Sequence, residues 1–446
     1  MSQTLGEMLP SIKSAPPGPH SLELAGRLHA VESRNVTWLS EDFPIFWDRA
    51  LGSNVIDVDG NVYVDLTSAF GVAFAGHSHP SITLAIEKQG KVLVHGMGDV
   101  HPSASKVKIM EELGELSPWK EARTVLASSG AEAMEIALKT AQMYSGKTGL
   151  IAFRGAYHGL TLGSLSVTDR EKFRDPFVGR LSEHTSFVNF PKTGEEAEAI
   201  ITEIASIVRR KKSTAEPVGA IVIEPIQGRG GVQIPPEDFL QTLSDFSQSA
   251  GLLLIFDEIF SGLGRSGVIF ETERAGVVPD LVCLGKALGG GMPLSACIGS
   301  REVMAGWPET DGEAIHTSTF LGHPLSCAAG ISFLNVLKSE NLVLQSVQKG
   351  QYLLDSLQAS LRAGHHVFQV RGRGLLIGIE LHNQKNHSVK SMGSHVSQLA
   401  LKEGLIVLPA GIHGEVVELA PPATITQEQM DFAVKCLSKI LLESQL

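Results

Sequence analysis

Residues 252–294 read LLLIFDEIFSGLGRSGVIFETERAGVVPDLVCLGKALGGGMPL. Two short apolar runs stand out, and each is cut off by polar residues. Leu252–Phe256 ends in Asp257-Glu258, and Leu281–Leu284 ends in Gly285-Lys286 followed by Gly289–Gly291. Runs of this length, with no alternation and closed by polar residues and glycine, predict strands buried on both faces of a parallel sheet. In open α/β sheets the ligand crevice lies outside the carboxyl ends of the strands. An acid ending one strand and a lysine ending another therefore face one crevice.

A lysine can condense with a carbonyl, and pyridoxal phosphate sites combine it with an acid that keeps the cofactor's pyridine nitrogen protonated. Lys286 and Asp257 have the residue types and setting for that pair. The glycines after Lys286 let backbone pass close to a bound group. An arbitrary lysine is more often a solvated surface charge; an apolar strand before it and three glycines after it argue otherwise here.

FDEIFSGLGRSG followed by PDLVCLGKALGGGMPL closely resembles the class III (ω-) aminotransferases, which include 4-aminobutyrate and ornithine aminotransferases. The resemblance runs from about residue 45 to the C-terminus. It implies a fold-type-I α/β enzyme that depends on pyridoxal 5'-phosphate. A large domain with a mostly parallel seven-stranded sheet would be joined by a smaller α+β domain from both chain ends. The expected boundaries are 1–65, 66–329 and 330–446. The resemblance makes Lys286 the Schiff-base lysine, Asp257 the partner of the pyridine nitrogen and Ile259 a contact of the ring.

Other segments follow the same likeness. Thr124–Leu126 predicts a strand, and Ser128-Ser129-Gly130-Ala131-Glu132 opens a helix over Ala133–Tyr144. A helix start leaves backbone N–H groups free, which suits phosphate; serine and glutamate at that spacing also make an ordinary capping box. The family's SGxEA turn assigns Ser129, Gly130 and Ala131 to phosphate. Strand Ile151–Phe153 leads to Tyr157-His158, where the resemblance places Tyr157 on the ring face opposite Ile259 and adds His158 to the cofactor set. Strand Val218–Ile223 ends in Glu224, also in that set. His316-Thr317-Ser318-Thr319-Phe320 resembles the segment whose threonine reaches the phosphate of the neighbouring subunit. Thr319, with Ser318, takes that role, which implies a homodimer with shared active sites.

The 446 residues are 43% hydrophobic and 19% charged with net charge −11, which argues against nucleic acid or an anionic membrane as partner. The four cysteines have no paired spacing, as expected of reduced thiols in a cytoplasm. No apolar run approaches the ~20 residues of a membrane span, and the N-terminus lacks the order of a signal peptide. Leu22–Val36 predicts a helix, Val55–Val64 a hairpin turning at Asp59-Gly60-Asn61, Leu325–Lys338 a helix and Val370–Glu380 one glycine-punctuated strand with Arg371 and Arg373 structural. His77 and His79 lack a third ligand nearby, so they read as a turn rather than a metal site. Gly262-x-Gly264-x-x-Gly267 matches the dinucleotide fingerprint in letters only, since no long helix follows.

Three departures bear on substrate. Many class III enzymes have EPIQGEGG where this chain has EPIQGRGG, and an arginine before the C-terminal PP where this chain has Glu418. Opposite changes at paired positions suggest a charge-swapped salt bridge, Arg229–Glu418, or two side chains that read substrate: Arg229 a carboxylate, Glu418 an ammonium. The arginine found after the HG of the Tyr157 motif in 4-aminobutyrate and ornithine enzymes is Leu160 here. The glutamine after DEI is Phe260, and the asparagine of GGNP is His323. Phe46 and Trp47 are expected to line the pocket. The expected reaction moves an amino group from an ω-amino acid, diamine or other primary amine to a keto acid by a ping-pong route. A racemase or aminomutase is the alternative on the same residues, and a non-catalytic binder the reading from another class.

Overall fold

In the computed structural model, residues 4–40, 42–362, 367–382 and 389–443 are described. The chain divides into two compact units, Met1–His79 with Leu344–Leu446, and Pro80–Val343. The expected boundaries at 65/66 and 329/330 both lie N-terminal to those of the units.

The first unit opens with the helix Pro19–Val31, shorter than the expected Leu22–Val36. Glu32 ends it: its carboxylate reaches forward to accept from the Thr37 backbone N–H at 3.0 Å and Oγ1 at 3.2 Å, and Asn35 follows with φ 62°. Strands β1 (Trp47–Leu51), β2 (Asn54–Asp57) and β3 (Val62–Asp65) form an antiparallel meander. The turn between β2 and β3 carries Gly60 at φ 81°, the left-handed backbone that a tight hairpin requires. Asp57 accepts from the Asn61 N–H and from the Tyr63 hydroxyl, both at 2.8 Å, which fixes the register.

The second unit holds seven strands: β4 (Ala122–Ala127), β5 (Gly149–Phe153), β6 (Thr185–Val188), β7 (Val218–Ile223), β8 (Leu253–Asp257), β9 (Leu281–Leu284) and β10 (Ser295–Ser300). Their order is β4-β10-β9-β8-β7-β5-β6. Only β10 runs against its neighbours, and the others pair in parallel or are separated by it. The apolar runs of β7, β8 and β9 are buried at every position, which explains why they show no alternation. The helix Gly130–Ser145 lays Ala133, Met134, Ile136, Ala137 and Ala141 on Val222, Ile255 and Cys283. Each large aliphatic side chain so buried contributes roughly 1.5–3 kcal/mol. In register, Ile223 stands beside Phe256 and Asp257 beside Cys283, so Glu224, Asp257 and Lys286 leave the sheet at one edge.

The C-terminal part of the first unit carries β11 (Val367–Arg373), β12 (Leu376–His382), β13 (Leu405–Ile406), β14 (Leu408–Ala410) and β15 (Val416–Leu419). The single strand expected over Val370–Glu380 is instead a hairpin turning at Gly374, φ 53°. Arg371 bridges across it to Glu380 at 2.7 Å. β13 adds in parallel to β3, and β11-β12-β15-β14 make a second four-stranded sheet. Among the described residues no helix is long and apolar enough to cross a membrane.

Candidate active site

Asp257 is the last residue of β8 and is buried. Its Oδ1 accepts from the Ile259 backbone N–H at 3.0 Å, and its Oδ2 accepts from His158 Nδ1 at 2.7 Å. His158 is itself buried, and its backbone N–H donates to Thr168 Oγ1 at 2.9 Å. Burial works against an imidazolium at this position. The hydrogen bond it donates to Asp257 and the charges of Asp257 and Glu224 outweigh it, and His158 is held above the ordinary histidine range. The carboxylate and the imidazole are thus buried as a hydrogen-bonded pair.

Glu224 follows β7 and accepts from the Tyr157 backbone N–H at 3.2 Å. Burial pushes its carboxyl up to about 7, with Asp257 adding to the shift while His158 and Lys286 oppose it. Lys286 sits after Gly285 at φ 39°, opening a tight turn that closes at Gly290, φ 56°. Its Nζ lies 3.8 Å from the centroid of the Phe260 ring. A lysine over an aromatic face gains electrostatic attraction from the ring. Beside the ring is Gly228, where a Cβ would come 2.3 Å from Phe260 Cδ1.

The helix start at Ser129 forms a full capping box: Ser129 Oγ accepts from the Glu132 N–H at 3.3 Å, and Glu132 accepts from the Ser129 N–H at 3.1 Å. Ser295, at the start of β10, donates to the Ser129 carbonyl at 2.6 Å and ties the turn to the sheet. A Cβ on Gly130 would meet Ile259 Cδ1 at 3.0 Å, and one on Gly285 would meet Ile259 Cγ2 at 3.1 Å. Ile259 is thus seated between the two glycines. Ala131 is the second residue of the helix, next to Gly130.

Tyr157 packs edge-on to Phe173 with centroids 6.0 Å apart, and the Arg229 guanidinium carbon stands 5.5 Å from its ring centroid. Ser318 and Thr319 lie elsewhere in this unit, exposed, in the stretch before the helix Pro324–Ser339. Thr317 next to them donates to Asp99 at 2.7 Å. Phe46, Trp47 and Glu418 belong to the other unit. Phe46 donates its N–H to Ser21 at 3.3 Å, Trp47 meets the His77 ring edge-on at 5.6 Å, and Glu418 is buried on β15. His77 itself bonds Asp65 through Nε2 at 2.7 Å. The loop Gly262–Gly267 has Leu263, Gly264 and Gly267 at positive φ and leads into the five-residue helix Glu271–Ala275, a turn system rather than a nucleotide fingerprint.

Several residues here carry no motif of their own. Thr168 and Ser295 hold the backbone of His158 and Ser129 through contacts that no local spacing announces. Phe260 and Gly228 stand 32 positions apart and meet only because β7 and β8 are neighbours.

The mostly parallel sheet, with Glu224, Asp257 and Lys286 at its carboxyl edge, defines an α/β frame with a candidate site at that edge. The class-III aminotransferase family model matches residues 38–441, and the chain belongs to that family. It is 33% identical over 396 residues to an acetylornithine aminotransferase of Methanosarcina acetivorans, covering 89% of this chain and 91% of the relative. A 4-aminobutyrate aminotransferase of Mycobacterium leprae is 33% identical over 440 residues, covering 95% and 96%. Among solved structures, an amine transaminase from an uncultivated Pseudomonas species, in its pyridoxal phosphate-bound form, superposes with TM-score 0.84 at 26% identity, covering 91% of this chain and 97% of that one. Family and fold make the chain an aminotransferase that uses pyridoxal phosphate.

Proposed function

We propose that this aminotransferase takes an amino group from an ω-amino acid, a diamine or another primary amine and passes it to a keto acid in two half-reactions. The observation that carries the reading is the convergence of the His158–Asp257 pair, Glu224 and Lys286 at one edge of the sheet. These residues fit pyridoxal phosphate by their chemistry: a buried carboxylate for a ring nitrogen, a lysine amine for a carbonyl and the backbone N–H groups of a helix start at Gly130 for a phosphate. When bound, the cofactor supplies a carbonyl that captures amines and a ring that accepts the electron pair of a breaking bond.

Asp257 would hold the ring nitrogen's proton, with His158 keeping the carboxylate aimed. Ile259 and Tyr157 would bracket the ring. Ser129, Gly130 and Ala131 would hold the phosphate by backbone N–H groups, joined by Ser318 and Thr319 from a second copy. Lys286 Nζ would serve first as the tether and then as the base and acid that moves the proton at the substrate's amine-bearing carbon.

A homodimer is part of this reading. The stretch 92–100 packs on 315–321 through Asp99–Thr317 and His95–Phe320, yet leaves Val92, Val94, Met97, Val100, Ile315 and Phe320 more than half exposed. An apolar face of that kind is a site for a second copy.

The test is spectroscopic. Adding single amines to the purified holoenzyme should convert the absorption of the bound cofactor to that of its aminated form, and a keto acid should restore it. Exchange of an α-proton without that conversion would instead establish a racemase. Lys286→Ala should abolish turnover; repeated turnovers in that variant would contradict its role.

A further inference from the structure

The chain leaving β7 folds back on itself between Gln227 and Gln233, whose backbone N–H and C=O groups pair reciprocally at 3.0 Å. Gln227 Nε2 donates to the Arg154 carbonyl at 2.9 Å, and Arg170, largely buried, donates from Nη2 to the Arg229 carbonyl at 3.1 Å. The Arg229 carbonyl is therefore held by Arg170 within a loop closed between Gln227 and Gln233. Its guanidinium carbon stands 5.5 Å from the Tyr157 ring centroid, and its Nε is buried without a hydrogen-bond partner. Tyr157 in turn donates its backbone N–H to Glu224, within the cluster that holds Asp257 and Lys286.

A guanidinium on an aromatic face keeps its full charge and its planar fork of donors, and its preferred partner is a carboxylate bound through two N–H groups. A buried donor left without an acceptor in the free protein gains when a ligand supplies one. We propose that Arg229 is the specificity-determining residue for a substrate carboxylate, so that this enzyme's donors and acceptors are amines and ketones that carry a carboxylate rather than simple amines. The proposal rests on the aminotransferase reading and narrows its substrate class. The departure at Leu160, where an arginine is absent, agrees: the cation for a carboxylate is supplied from the loop after β7.

The test uses the cofactor-loaded enzyme, Arg229→Gln and Arg229→Lys. Half-reaction kcat/KM is measured for pairs that differ only in the carboxylate: alanine against ethylamine, and 4-aminobutyrate against n-propylamine. Binding of butyrate against butanol is measured by calorimetry on the same proteins. Wild type should favour the carboxylated member of at least one pair, and Arg229→Gln should lower that ratio roughly 100-fold, mostly through KM, with Arg229→Lys recovering part of it. Butyrate binding should weaken in parallel while butanol binding does not. An unchanged ratio in Arg229→Gln would overturn the proposal. So would recovery of an Arg229→Glu defect by adding Glu418→Arg, because the arginine would then serve a charge pair. If no amine reacts at all, the transamination reading fails; butyrate binding then decides Arg229 alone, supporting it if Arg229-dependent and overturning it if not.

Discussion

The Phe260 ring meets both Gly228 and the amine of Lys286. A methyl group on Gly228 has no room, so Gly228→Ala should displace the ring, destabilise the protein by ~1–3 kcal/mol and slow the half-reaction. Phe260→Leu added to it should recover stability by making room; chemical denaturation of the single and double variants checks this, and equal loss in both would contradict the contact. Glu258 gives a pH prediction. Burial pushes its carboxyl up to about 8, against which hydrogen bonds from the Glu271 and Thr272 N–H groups and Ser261 act only in part. The folded state therefore holds its proton where the unfolded chain has released it, and stability should fall as pH rises from about 4.5 through about 8. Between pH 5 and pH 9 the wild type should lose roughly 3–5 kcal/mol relative to Glu258→Gln, read from paired denaturation curves.

The elements show which local rules were sufficient. The start of the helix Gly130–Ser145 was readable as a cap and as a phosphate seat, and the capping box shows the first without removing the second. Ser129→Ala should cost about 1 kcal/mol of stability and weaken cofactor retention, measured by equilibrium dialysis; loss of stability with cofactor affinity intact would leave only the cap. The hairpin β2–β3 followed from its Asp-Gly-Asn turn. β11 and β12 did not separate in the reading because Arg-Gly-Arg-Gly lacks a strong turn signal, and the break at Gly374 depends on β12 being paired on its other side by β15. The first helix stops early because Glu32 prefers the Thr37 backbone to another helical turn, a competition that hydrophobic periodicity does not record.

For the whole molecule, the exposed apolar face at 92–100 and 315–320 predicts self-association. Wild type should sediment as a dimer at micromolar concentration, and Met97→Glu with Phe320→Glu should shift it toward monomer and reduce cofactor retention. A dimer undisturbed by both charges would place the interface elsewhere.

The sequence by itself determined the strands that end in Asp257 and Lys286, the helix start at Gly130 and the family, because each is written in contiguous residues whose burial or turn chemistry is local. Only the tertiary structure decided the rest. His158 meets Asp257 across 99 positions, Glu224 is raised by burial beside them, Phe260 lies under Lys286, and Arg229 is set on Tyr157. Those contacts depend on which strands become neighbours and in what register, and desolvation exists only once the sheet has closed over them.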